Sequence, residues 1–177
     1  MKILIIGPLG AGKSSLAYAL NKKYGLPRLN LDEVSRVKNG GFRSNEEQLT
    51  LLNTFLKDNA DWVMEGCQKI LYEKVQPDLI VDMRINRLLA IGRFTKRFLK
   101  AKKLIGKDIP ADLPVQAYHY RKITLSKILD WDNANKKINA EITAFLPKNK
   151  IPVVSCKCFK DYQRVFDFIE KFPMCKK

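Results

Sequence analysis

The feature that most constrains this chain is Gly7-Pro8-Leu9-Gly10-Ala11-Gly12-Lys13-Ser14, a glycine-rich run wedged between a strand pattern and a helix pattern. Lys2 to Ile6 is a short apolar, β-branched segment that reads as a fully buried parallel strand. Ser14 to Tyr24 places Leu16, Ala17, Ala19 and Leu20 on one helical face and ends at Gly25, a capping glycine. A G-x-x-x-x-G-K-S turn in that context makes a phosphate cradle. Its glycines let backbone N–H groups curl around oxygens, and the helix N-terminus adds a favourable dipole. Lys13 reaches the terminal phosphates and the Ser14 hydroxyl ligates Mg²⁺. Gly7, Pro8, Leu9, Gly10, Ala11, Gly12, Lys13, Ser14 and Ser15 are therefore the expected nucleoside-triphosphate contacts.

The charge balance agrees. Lys and Arg number 33 against 18 Asp and Glu, a net charge of +15, so an anionic partner is expected: nucleotide, phosphate ester, nucleic acid or acidic membrane surface. At 177 residues and 46% hydrophobic composition, one domain spanning 1–177 has enough apolar material for a core. No apolar run approaches the ~18–20 residues that cross a bilayer. The four apolar residues after Lys2 are too few for a signal peptide, so the cytosol is the expected location. Cys67, Cys156, Cys158 and Cys175 suit a reducing compartment, and a lone C-x-C far from the single His119 does not make a zinc site.

Further along, strand and helix patterns alternate. Pro27 to Leu31 reads as a second strand, and Gly40-Gly41 breaks the chain. Ser44 and Glu47 form a capping box for a helix carrying Leu49, Leu52 and Leu56 to about Asn59. Trp62-Val63-Met64, Asp78 to Met83 and Ile151 to Ser155 are three more strands, the last two followed by helical patterns at Leu88–Lys103 and Phe159–Phe172. This alternation predicts an α/β fold, a five-stranded parallel sheet in a three-layer α/β/α sandwich. Leu104 to Pro114, with Gly106 and Pro110, interrupts it as an excursion placed at about 97–120, before one or two helices between Tyr118 and Phe145.

The guanine-reading N-K-x-D motif is absent, since Asn135-Lys136-Lys137-Ile138 lacks the acid, and the length is short for a motor or unfoldase. A compact phosphotransferase fits. With its Walker A run, the chain resembles the adenylate-kinase-like branch of P-loop kinases, particularly small topology-modulation-type and nucleoside or nucleotide kinase-like proteins. The resemblance spans nearly the whole sequence and implies ATP and Mg²⁺ as cofactors.

By that resemblance, Glu65 in Val63-Met64-Glu65-Gly66 would hold the Mg²⁺ water shell with Ser14, where relatives usually carry Asp. Residues 84 to 107 contain nine basic residues and no acidic one, and Arg93, Arg97 and Lys100 share a helical face. The resemblance places Arg93 beside the adenine and Arg97 on phosphate, where a basic lid stabilises a transferring phosphoryl group.

For the acceptor two patterns compete. Asp32, at the end of the second strand, is a candidate general base for a hydroxyl acceptor or a plain helix N-cap before Glu33. Arg36 and Lys69 fall where monophosphate kinases hold an acceptor phosphate, with Lys69 in place of an Arg. Ser155 to Lys160 would run beside the base. The expected activity is phosphoryl transfer from Mg-ATP to a small acceptor. The alternatives are a nucleic-acid-binding regulatory ATPase, which the positive charge would suit, or a nucleotide binder without turnover.

Overall fold

The computed structural model describes residues 1–37, 41–84, 86–101, 125–148 and 150–171. Its strands are β1 (Lys2–Ile6), β2 (Arg28–Asn30), β3 (Trp62–Gly66), β4 (Leu79–Met83) and β5 (Val153–Cys156). Its helices are α1 (Lys13–Tyr24), α2 (Leu31–Val34), α3 (Asn45–Asp58), α4 (Lys69–Tyr72), α5 (Arg87–Ala101), α6 (Leu125–Phe145) and α7 (Tyr162–Lys171). The strands form one all-parallel sheet in the order β2-β3-β1-β4-β5, with Ile5 opposite both Glu65 and Val81. This is the α/β/α sandwich that the alternating pattern predicts.

Period-two alternation within β1 sends Ile3 and Ile5 to one face and Leu4 and Ile6 to the other. On the first face they pack with Leu16 and Leu20 of α1 and Val165 and Ile169 of α7. On the second they meet Leu52 of α3, Leu71 of α4 and Ile142 and Phe145 of α6. All four side chains are fully buried, each contributing about 1.5–3 kcal/mol of transfer free energy. Phe145 belongs to this core, its ring 4.9 Å from that of Tyr72.

Several boundaries differ from those read in the sequence. β2 is three residues long because Asn30 turns into α2 as its N-cap, its side chain accepting from the N–H groups of Asp32 and Glu33. β5 starts at Val153, beyond Pro152, which cannot donate to the ladder. The segment after β5 opens with a 3₁₀ turn at Phe159–Asp161 before α7. The short helices α2 and α4 carry no periodicity long enough to read. Of the excursion expected at 97–120, residues 97–101 continue α5, and 102–124 lie outside the described residues with Tyr118, His119, Tyr120 and Arg121. Gly40 and Cys175 also lie outside them. Among the described residues no helix is long and apolar enough to cross a membrane.

The capping box starting α3 is complete: the Ser44 side chain accepts from the Glu47 N–H, and the Glu47 carboxylate accepts from the Ser44 N–H at 2.8 Å. Ser44→Ala is expected to lower stability by about 1 kcal/mol, seen as a lower urea midpoint at unchanged m-value.

Candidate functional site

A parallel sheet gathers the carboxyl ends of its strands on one edge, and the chain leaves β1 there between β3 and β4, at a topological switch point. Gly7 makes that exit possible. A Cβ on it would lie 2.6 Å from the Met83 carbonyl oxygen and 2.7 Å from Met83 Cβ, so any side chain would push the loop off β4. Gly12 closes the loop with φ 97° as the residue preceding α1, in the left-handed region that glycine adopts without strain.

The loop is held from several sides. Lys13, 6% exposed, donates from Nζ to the carbonyls of Gly7 at 3.0 Å and Pro8 at 3.1 Å. Arg93 reaches across from α5 to the carbonyls of Gly10 and Ala11 at 3.4 and 3.3 Å. The Tyr162 hydroxyl, from the start of α7, donates to the Gly12 carbonyl at 3.1 Å. Asn135 of α6 accepts from the Leu9 N–H at 2.8 Å and donates back to the Leu9 carbonyl at 3.4 Å. Asn135 and Tyr162 were not legible as site residues: an isolated polar or aromatic residue on a helix gives no hint that it ends against a loop over 120 residues away. Arg97 lies on α5 one turn beyond Arg93; its side chain is outside the described residues.

Beside the loop, Glu65, the last residue but one of β3, is only 1% exposed, with Oε1 lacking a hydrogen-bond partner among the described residues. Burial pushes its carboxyl pKa up; the Lys13 ammonium and a hydrogen bond with Ser14 oppose that shift, and the Asp32 charge adds to it. Among the described residues no three His, Cys, Asp or Glu side chains gather as a metal cage. A single carboxylate and a hydroxyl leave most of the coordination to phosphate oxygens and water, which is how Mg²⁺ is ordinarily bound.

Asp32 lies in α2, just past the end of β2 rather than on it, near enough for its charge to act on Glu65. The helix-cap alternative for Asp32 is corrected, because Asn30 occupies the cap and Asp32 sits inside α2. Its Oδ1 instead meets the Cys67 N–H and the Cys67 thiol, each at 3.4 Å. Burial pushes that thiol's pKa up to about 12, with the Asp32 charge adding to the shift, so Cys67 stays protonated and able to donate. Gly66 permits the approach, as a Cβ there would come within 2.8 Å of Leu31 Cβ. Arg36 stacks 5.7 Å from the Phe42 ring, and its buried Nε has no partner among the described residues. Lys69 is half exposed on α4, 3.8 Å from Glu73.

Two organising side chains escaped the sequence reading. Arg43 donates from one guanidinium nitrogen to the carbonyls of Glu33 at 2.9 Å, Val34 at 2.8 Å and Arg36, satisfying the end of α2. Asp161 accepts the N–H groups of Lys157 and Cys158 at 2.8 and 3.0 Å, shaping the loop after β5. These bonds hold the Asp161 carboxyl below its ordinary value of 3.8.

Arg43→Ala removes the side-chain donor from three carbonyls, of which that of Glu33 keeps the Arg36 N–H, and is expected to cost about 2 kcal/mol in chemical denaturation. Arg43→Lys should recover part of it, because all three bonds leave one nitrogen and an ammonium also donates from a single point, though on a more flexible stem. Asp161 stabilises the folded state fully above pH 3.8 and loses that contribution as pH falls through its lower folded value. Asp161→Ala should therefore flatten the acid side of the stability profile measured between pH ~5 and ~2.

No protein-family model and no curated protein sequence matches this chain. Solved structures do. Deoxyadenosine kinase from M. mycoides with bound dATP superposes with a TM-score of 0.58 at 17% identity, covering 97% of this chain and 100% of that one. The same enzyme with bound dCTP gives a TM-score of 0.55 at 17% identity with the same coverage. With products dCMP and a flexible dCDP bound it gives 0.56 at 16% identity, again covering 97% and 100%. The five-stranded parallel sheet with its flanking helices is the P-loop kinase fold.

Proposed function

We propose that the protein is a phosphotransferase that moves the γ-phosphoryl group of Mg-ATP to a hydroxyl of a small acceptor of the nucleoside class, with residues 1–177 acting as one domain. The observation that carries this reading is the Asp32 carboxylate. Relieved of capping by Asn30, it is oriented by the Cys67 N–H and thiol, close enough to Glu65 and Lys13 for their charges to interact with its surroundings. A carboxylate so held accepts the proton of the attacking hydroxyl as the acceptor oxygen bonds to phosphorus and the bond to ADP breaks.

The loop from Gly7 to Ser15 binds the phosphates through its backbone, and Lys13, Arg93 and Arg97 neutralise the charge that spreads over the transferring group. Ser14 and Glu65 are the residues suited to hold Mg²⁺. The ion, when bound, draws charge from the phosphate oxygens. Arg36, whose Nε has no partner among the described residues, and Lys69 are assigned to polar groups of the acceptor. A likeness in fold to deoxyadenosine kinases agrees with a nucleoside rather than a monophosphate as acceptor. So does the engagement of Lys69 with Glu73, which makes that cation less available to an acceptor phosphate.

The test is ATP consumption with Mg²⁺ against nucleosides, nucleoside monophosphates and small hydroxyl metabolites, with duplex DNA as a separate arm. A nucleoside that stimulates turnover and gains a phosphate supports the reading. Asp32→Asn should then slow transfer by about a hundredfold or more while Mg-ATP affinity stays within about twofold. Stimulation by DNA alone, lost as salt rises, would overturn the reading and make the basic surface the functional one.

A further inference from the structure

We propose that Asn135 is a positioning residue that sets the orientation of the loop peptides on either side of Leu9. The inference rests on reading residues 7–14 as a phosphate cradle, and not on the identity of the acceptor. Asn135 is 6% exposed, while its helix neighbours Ala134, Lys136 and Lys137 are exposed. A lone buried amide on a solvated helix stretch carries a desolvation cost unless its polar atoms are matched. Here both are. Asn135 Oδ1 accepts the N–H of the Pro8–Leu9 peptide at 2.8 Å, and Nδ2 donates to the carbonyl of the Leu9–Gly10 peptide at 3.4 Å.

The consequence is geometric. In a trans peptide the carbonyl and the following N–H point in opposite directions. Tying the Leu9 carbonyl to α6 therefore turns the Gly10 N–H away from α6. The other loop carbonyls are tied in the same way, those of Gly7 and Pro8 by Lys13, of Gly10 and Ala11 by Arg93, and of Gly12 by Tyr162. Lys13 and Arg93 are cations that a bound phosphate competes for. Asn135 and Tyr162 are neutral and keep their carbonyls whether or not an anion is present. Asn135 holds a donor as well as an acceptor of the loop. Its helix is anchored independently two turns on, where Arg84 donates to the Thr143 hydroxyl at 3.2 Å, so the amide is presented from a fixed support.

Two measurements on the full chain test this. Amide exchange read by NMR reports the Leu9 and Gly10 N–H groups directly, and calorimetric titration reports Mg-ATP affinity. Asn135→Leu keeps the branched shape and removes both bonds. It should speed Leu9 exchange and weaken Mg-ATP by about five- to tenfold, with β1 amides exchanging as in the parent. Asn135→Asp keeps the acceptor alone and should leave Leu9 exchanging as in the parent where Asn135→Leu speeds it, a contrast that a merely structural role would not produce; its Mg-ATP affinity should fall, with the added negative charge contributing to that loss. Thr143→Ala, which loosens the same helix without touching the loop, should leave Leu9 exchange unchanged. Leu9 and Gly10 exchanging at the parent rate in Asn135→Leu, or Mg-ATP binding unchanged within about twofold, overturns the proposal. Should Asn135→Leu fail to fold, unchanged Mg-ATP affinity in Asn135→Asp overturns it equally. A parent protein that does not bind Mg-ATP defeats the function proposed above, and the exchange arm alone then decides the positioning claim.

Discussion

The contact between Gly7 and Met83 is the constraint on which the site depends. β1 runs fully buried between β3 and β4, and its chain has to leave the sheet edge without disturbing the β4 backbone beside it. A Cβ at Gly7 would overlap the Met83 carbonyl, so the absence of a side chain there allows the turn to fold back over the sheet and feed α1. Parallel pairing then places the ends of β2, β3, β4 and β5 on the same edge as that turn. Asp32, Glu65, Asp82 and the loop after Cys156 share one side of the molecule for this reason, although up to about 125 residues separate them in the chain.

The loop is a concave arrangement of dipoles kept in shape by its carbonyls. Every carbonyl from Gly7 to Gly12 is engaged by a side-chain donor drawn from α1, α5, α6 or α7. With its carbonyls so engaged the loop is held in one shape, the Leu9 and Ala11 N–H groups being bonded to Asn135 Oδ1 and the Pro8 carbonyl. This arrangement also moderates the cost of burying Glu65. The Lys13 ammonium and the Ser14 hydroxyl favour its ionised form against desolvation, so one set of groups serves both the loop and the neighbouring carboxylate.

Elsewhere on the edge, buried charge is stabilised by short-range pairing. Asp82 is 3% exposed and its Oδ2 meets Arg84 Nε at 2.6 Å, while the same guanidinium reaches Thr143 on α6. Arg43 performs the corresponding service for α2, a helix of four residues too short to satisfy its own carbonyls. Through Arg43 and Asn30, the backbone carrying Asp32 is held at both ends of α2. Breaking such pairs leaves uncompensated polar groups, which is why their geometry matters more than their number.

The sequence by itself determined the fold and the loop around which the candidate site is built. Strand-length apolar runs alternating with helical periodicity require a parallel sheet covered on both faces. G-x-x-x-x-G-K-S between the first strand and helix requires a tight glycine-bearing loop at the strand's carboxyl end. These signals are local, and backbone sterics and periodicity enforce them whatever surrounds them. Tertiary structure decided the partners. Asn135 against Leu9, Tyr162 against Gly12, Cys67 against Asp32 and Arg43 against α2 are contacts between elements, set by how helices and loops dock across the sheet edge. Asp32 shows the difference at one residue. A carboxylate at the start of a short helix fits a cap as well as a catalytic base, and only the turn that brought Asn30 into the cap released Asp32, whose charge acts on Glu65. A hydrogen bond needs two groups in one place, and a one-dimensional pattern names the groups without saying where the fold will bring them.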